Sequence, residues 1–252
     1  MKTLITICLV ALATLFSACA TLQVDKPAVS AIKKIAIVGF SVEQKEPEGW
    51  KFGSSKKDFP DWGPGLVQAA PHASSIYANV GKTLAKKFRW QVLDAEGLKK
   101  NAAYAKLFEE KMKGWQSRPP TGSGFKAYGA EGVMDPWPIE RLSQAERQAL
   151  AKSLGVQALA VARVKVDLEK GGGLERLVGA GELKPKATTQ FTLYAKDGGE
   201  PIWQDLQAVG PAVEKGTQHV LGITSFESLL AQSVEAVNKS ITKLLARFDK
   251  GE

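Results

Sequence analysis

The chain has 252 residues, 44% hydrophobic and 24% charged, with a formal net charge of +8 at pH 7. That balance is ordinary for a globular protein with a sizeable core, and the length fits one domain with insertions or two small ones. Two cysteines, Cys8 and Cys19, and two histidines, His72 and His219, are too few for a disulfide framework or for a structural zinc site at ligand spacing.

Met1-Lys2-Thr3 opens the chain, and Leu4 to Phe16 is apolar apart from Thr6 and Thr14. A span of the bilayer needs about 20 apolar residues, so this run is too short to cross and fits a secretory h-region behind a positive start. Leu15-Phe16-Ser17-Ala18-Cys19 resembles the lipobox of bacterial lipoproteins, with Phe16 where that family prefers Leu. The resemblance implies cleavage before Cys19, a signal peptide over 1–18 and a diacylglyceryl group on the Cys19 sulfur. Cys8 leaves with the signal, so no intrachain disulfide remains and acylation removes the only thiol. Several acyl chains make a durable anchor, whereas one gives marginal binding. In enterobacterial lipoproteins an Asp after the cysteine favours inner-membrane retention, so the resemblance, with Ala20 there, implies the outer membrane. The expected location is therefore its inner leaflet, with the body facing the periplasm. Little nucleic acid is present there, so the positive charge suits solubility or anionic envelope components rather than nucleic acid.

Residues 19–32 read as a short lipidated tether without sustained periodicity. Ile35 to Phe40 is a continuous apolar run behind Lys33-Lys34, as in a strand buried on both faces. Residues 41–72, rich in Pro and Gly, read as a long irregular insertion. Ile76, Val80, Leu84 and Phe88 make the stripe of a helix from about Ser74 to Phe88. Trp90 to Leu93 is a short second strand. Asp94 caps a further helical segment marked by Leu98, Ala102, Ala105, Phe108 and Met112. Residues 114–140 read as a second irregular insertion.

Ser143 to Glu146 is a capping box that opens a helix, and Gly155 closes it. Ala158 to Ala162 is fully apolar; Val164, Val166 and Leu168 then alternate with charge, giving a strand whose second half has a wet face. Gly171-Gly172-Gly173 and Gly179-Ala180-Gly181 frame a flexible strand-to-strand excursion. Phe191, Leu193 and Ala195 run into Asp197-Gly198-Gly199-Glu200 and return through Ile202, Leu206 and Ala208, as a hairpin. Thr224 to Glu227 reads as a capping box for a last helix striped by Phe226, Leu230, Val234, Val237, Ile241, Leu244 and Phe248.

The expected fold is a single α/β domain over 33–250, a mixed β-sheet sandwiched by helices, with two long irregular loop insertions. Four phrases carry a further resemblance: Lys34-Ile35-Ala36-Ile37-Val38, Val80-Gly81-Lys82-Thr83-Leu84-Ala85, Leu154-Gly155-Val156-Gln157-Ala158-Leu159 and Gly199-Glu200-Pro201-Ile202-Trp203. With the element order they resemble the superfamily of the TolB amino-terminal domain, the penicillin-binding-protein activator lipoproteins and the curli secretion channel. Gln157 stands where members often carry Asp. The resemblance implies binding or assembly rather than catalysis.

No catalytic signature competes with this. Val80-Gly81-Lys82-Thr83 lacks the glycine five residues earlier that a phosphate loop requires, and it falls inside a helix, where Gly81 reads as a close-packing residue. Gly39 reads as the end of the first strand, without a dinucleotide fingerprint after it. No nucleophile elbow is present. Glu109, Glu110, Asp135 and Glu140 are isolated carboxylates of surface type. No catalytic residue, metal or cofactor is therefore expected. The insertions carry Trp50, Phe52, Phe59 and Trp62, then Trp115, Phe125, Tyr128 and Trp137. Aromatic side chains bury much area at low entropic cost, so Trp50, Trp62, Trp115 and Trp137 are the candidate partner-binding residues, unless the loops fold back and bury them. The expected partners are the membrane, through lipidated Cys19, and an envelope protein or a peptidoglycan-linked partner. The oligomeric state stays open. A ring-forming secretion pore using 186–208 as membrane strands and an envelope-polymer hydrolase are the alternatives.

Overall fold

The computed structural model describes residues 22–45, 68–113, 125–170, 181–220, 223–224 and 226–251. Its elements are β1 (Leu22–Val24), α1 (Lys26–Ala31), β2 (Lys34–Lys45), β3 (Gln68–Ala69), α2 (Pro71–Phe88), β4 (Gln91–Leu93), α3 (Ala95–Lys100) and α4 (Ala102–Lys113). They continue as β5 (Phe125–Gly129), α5 (Pro136–Glu140), α6 (Gln144–Leu154), β6 (Ala158–Lys170), β7 (Gly181–Ala195), β8 (Pro201–Val209), β9 (Thr217–Val220), β10 (Ile223–Thr224) and α7 (Phe226–Lys250). The strands form one mixed sheet in the order β1-β8-β7-β6-β2-β5-β3. The α/β class and the helix-covered mixed sheet expected from the sequence are what the chain adopts.

β2 lies at the centre. It is parallel to β6 on one side; on the other, β4 runs parallel to its first residues and β5 antiparallel to its last. The apolar run from Ile35 to Phe40 is buried because helices cover both faces. Phe40 meets Tyr77 of α2 edge to face, with ring centroids 5.5 Å apart. Its neighbour Gly39 points to the opposite face, as strand alternation requires. A Cβ there would come within 2.9 Å of Pro136 Cα in α5 and of Val161. Gly39 therefore does not end the first strand. It lets α5 settle on the sheet, and β2 runs on to Lys45.

The insertions are narrower than the composition suggests. Residues 41–45 complete β2, and 68–72 hold β3 and the start of α2. Residues 125–129 are β5, and 136–140 are α5. Gly- and Pro-rich flanks hide these pieces because β5 is fixed by pairing to β2, β3 by pairing to β5, and α5 by packing over Gly39, rather than by local periodicity. His72 is a helical residue, and His219 belongs to β9. The segment from Leu22 to Ala31 is not a free tether. β1 pairs with β8, α1 follows, and Asp25 caps that helix by accepting from Ala28 N at 3.0 Å.

The helical segment expected after Asp94 is two helices. Asn101 interrupts it, its Oδ1 accepting from Tyr104 N at 3.0 Å and opening α4. An Asn side chain competes with the helical backbone in this way. The capping box of α6 is present, and Gly155 ends that helix at φ 62. Gln157, in the place of the Asp of the resembled superfamily, accepts from Lys33 N and Lys34 N at 2.6 and 3.2 Å and so fastens the start of β2. Because α7 begins at Phe226, its N-cap falls on residue 225, so the expected Thr224–Glu227 capping box lies outside the described side chains. The 171–180 excursion lies outside the described residues altogether.

The 186–208 hairpin forms β7 and β8 of this sheet. Ala187, Thr189, Phe191 and Leu193 are buried on one face, and that face packs against α7. Trp203 is fully buried between Phe191, Phe88 and Phe248.

Candidate functional site

The sequence places the candidate aromatic residues on two loops. Trp50, Trp62 and Trp115 lie outside the described residues, as do Phe52 and Phe59. Trp137 is half-buried on α5, where Asp135 accepts from its backbone N at 2.9 Å and the Arg141 guanidinium lies 3.8 Å from its ring centroid. Phe125 and Tyr128 are not loop residues. They are buried in β5, with the Phe125 ring contacted by Lys45 and Lys165 ammonium groups 4.8 and 4.4 Å from its centroid. Tyr128 packs on His72 with centroids 4.6 Å apart. Of the described loop aromatics, only Trp137 keeps an exposed edge.

The carboxylates considered from sequence do not converge. Asp135 caps α5, and Glu140 pairs with Arg163 at 3.4 Å. Glu110 faces Lys106 at 3.9 Å on the exposed side of α4. No group of three or more His, Cys, Asp or Glu side chains able to hold a metal occurs among the described residues. No described helix is long and apolar enough to cross a membrane. Cys19 also lies outside the described residues, three positions before Leu22.

A cleft that the sequence did not announce lies between α2, the end of β4 and α3. Its volume is about 450 Å³. Ala78, Gly81, Ala85, Val92 and Leu93 give it an apolar lining, and Lys82, Glu96, Lys99 and Glu131 bring charge to it. Gly81 is therefore not a close-packing residue. A Cβ there would sit 3.5 Å from Val92 and 3.9 Å from Ile37, ordinary contact distances.

The charges are already organised. Lys99 Nζ reaches Glu131 at 2.9 Å and Glu96 at 3.1 Å. The hydrogen bond that Lys99 donates to Glu131, then the one it donates to Glu96, raises the Lys99 pKa, and Lys99 in turn lowers that of Glu131. Asp94 caps α3 by accepting from Gly97 N at 2.8 Å. Tyr77, at the inner wall, donates to the Ile37 carbonyl at 3.1 Å; burial first, and the Asp94 charge second, push its pKa upward. A phenol so held is a neutral structural donor. Only packing forms this cleft, since its walls come from separate elements that no local motif links.

No protein-family model matches the sequence, and no curated protein matches it. The fold is loosely similar to two solved structures. Lipoprotein GNA1162 from Neisseria meningitidis shares 13% identity at a TM-score of 0.33, covering 83% of this chain and 98% of that one. A PelC dodecamer from Paraburkholderia phytofirmans shares 12% identity at a TM-score of 0.28, covering 82% and 87%. At such scores the likeness carries no functional argument.

Proposed function

We propose that this chain is a lipid-anchored envelope-assembly lipoprotein without catalytic activity. Cys19 holds it on the inner leaflet of the outer membrane, facing the periplasm, and the body binds an envelope protein or a peptidoglycan-linked partner. The observation that carries the reading is the join between the lipobox-like phrase and the fold. The first described strand begins at Leu22, three positions past Cys19, and the core described above is built from residue 22 onward. Removal of residues 1–18 would leave that core whole. The cleft between α2 and α3 offers the partner a recessed apolar surface near paired charges, the arrangement in which binding energy concentrates.

The test is a cross-linking capture from intact envelopes with the native chain, and with Ala78→Trp to fill the exposed mouth of the cleft, coupled to mass analysis of the mature amino terminus. Acyl groups on Cys19 and a partner whose yield drops at least tenfold in Ala78→Trp are expected. An uncleaved or unacylated terminus would refute the anchor. Equal capture by both proteins would remove the cleft from the reading.

A further inference from the structure

Scattered exposed apolar side chains need no explanation in a soluble protein. Here the large apolar side chains left exposed among the described residues are two, Leu206 at 39% and Val209 at 40%, and both lie on β8. β1 covers only part of β8, pairing with Trp203 to Asp205, so the edge from Leu206 to Val209 lies beyond its reach. Leu206 is set outward by a built feature. The β7–β8 register shifts between Thr189 and Phe191, which makes a bulge at Leu206 and Gln207. The fully buried Asp205 fixes it, accepting from Gln207 N at 3.0 Å and from Arg247 Nε at 2.7 Å.

The same edge is where the anchor arrives. β1 is antiparallel to β8, with Leu22 opposite Asp205 and Val24 opposite Trp203. Its upstream end therefore points along β8 toward Leu206 and Val209. Three residue steps separate Cys19 from Leu22, at most about 11 Å between Cα atoms. Val209 lies three residues beyond Leu206, roughly 10 Å along the strand. With Leu22 opposite Asp205, this short reach tethers the acyl chains of Cys19 near the end of β8 that carries both side chains.

We infer that the Leu206–Val209 edge of β8 is the surface on which the body rests against the lipid bilayer, with both side chains entering the interfacial layer beside the acyl chains of Cys19. This rests on the acylation proposed above. The contact fixes the orientation of the body, which a single flexible attachment would leave free. An interface layer takes apolar side chains while leaving neighbouring polar groups wet.

The test uses the full, lipidated chain carrying Leu206→Cys, Val209→Cys or, on the exposed side of α6, Lys152→Cys. Each is labelled with an environment-sensitive fluorophore and reconstituted into phosphatidylethanolamine–phosphatidylglycerol vesicles containing doxyl-labelled lipid. Acylated Cys19 takes no label. Quenching at 206 and 209 several-fold stronger than at 152 is expected. Flotation with the vesicles but equal quenching at all three sites overturns this inference and leaves the anchor standing. Failure to float, with label on Cys19, overturns both. Protection from aqueous iodide without doxyl quenching assigns the edge to a second copy of the chain and also overturns the inference.

Discussion

Two regions of the sheet treat buried polar groups in opposite ways. Under α7, Asp205 is matched by Arg247 at 2.7 Å, and the Thr189 and Ser240 hydroxyls meet at 2.7 Å. The aromatic cluster of Phe88, Phe191, Trp203 and Phe248 fills the remaining space, with Trp203 Nε1 the unpartnered atom among these side chains. At the far end of β2, beside β5 and the start of α2, Ser41 Oγ, Gln44 Oε1 and His72 Nε2 are buried without hydrogen-bond partners. Each such group costs roughly 1–3 kcal/mol. The α7 side thus stores stability, and the far end of β2 gives some of it up. Residues 46–67 leave and return at this second region.

The largest test of the contrast is Arg247→Leu. It strands a fully buried carboxylate, and removal of one partner of a buried pair typically costs about 3–5 kcal/mol. A urea midpoint close to that of the native protein would show that Asp205 depends on its other donors instead. Joining the change to Asp205→Asn should recover part of the loss, as coupled neighbours do.

His72 gives the next effect, at the opposite region. Burial lowers its pKa from 6.5 to about 4. The unfolded chain therefore takes up the proton first, and the stability that neutral His72 contributes is present above pH 6.5. It is lost as pH falls from about 6.5 through 4, at a slope approaching about 1.4 kcal/mol per pH unit. Denaturation curves across that window should show the slope in the native protein and a flatter profile in His72→Gln.

Gly210→Ala probes how tightly α7 is seated. A Cβ there would lie 2.6 Å from Ser240 N and 2.9 Å from the carbonyl carbon of Lys239, both backbone atoms that cannot turn aside. Overpacking of this kind costs about 1–3 kcal/mol. A melting temperature unchanged from the native protein would mean that α7 slides freely on the sheet. The smallest change should have the opposite sign. Ser41→Ala removes an unpartnered buried hydroxyl and should stabilise the fold by about 1 kcal/mol. Destabilisation instead would show that the hydroxyl has a partner in solution.

Much of the fold was legible because it rests on local rules. The Ile35–Phe40 run, the Ser143–Glu146 box, the left-handed Gly155 and the turn at Asp197–Glu200 each declare an element through burial, capping or turn chemistry. β5 and α5 read as loop from the sequence, because Phe125–Gly129 is held as a strand by pairing with β2 and β3, and Pro136–Glu140 is seated in the space that Gly39 leaves. The candidate cleft was not legible. Its lining joins the consecutive elements α2, β4 and α3 to Ala130 and Glu131 some thirty residues on, and no periodicity links them.

The sequence by itself determined the class of the fold, the order of its main elements and the lipobox-like phrase ending at Cys19, since these depend on side-chain periodicity and short-range motifs. Only the tertiary structure decided that residues 22–31 belong to the folded body, that Phe125 and Tyr128 are core, and that Leu206 and Val209 share an edge with the chain leading back to Cys19. Those outcomes depend on which strand lies beside which. Register between distant segments is chosen by the packing of the whole sheet rather than by any residue's neighbours in the chain.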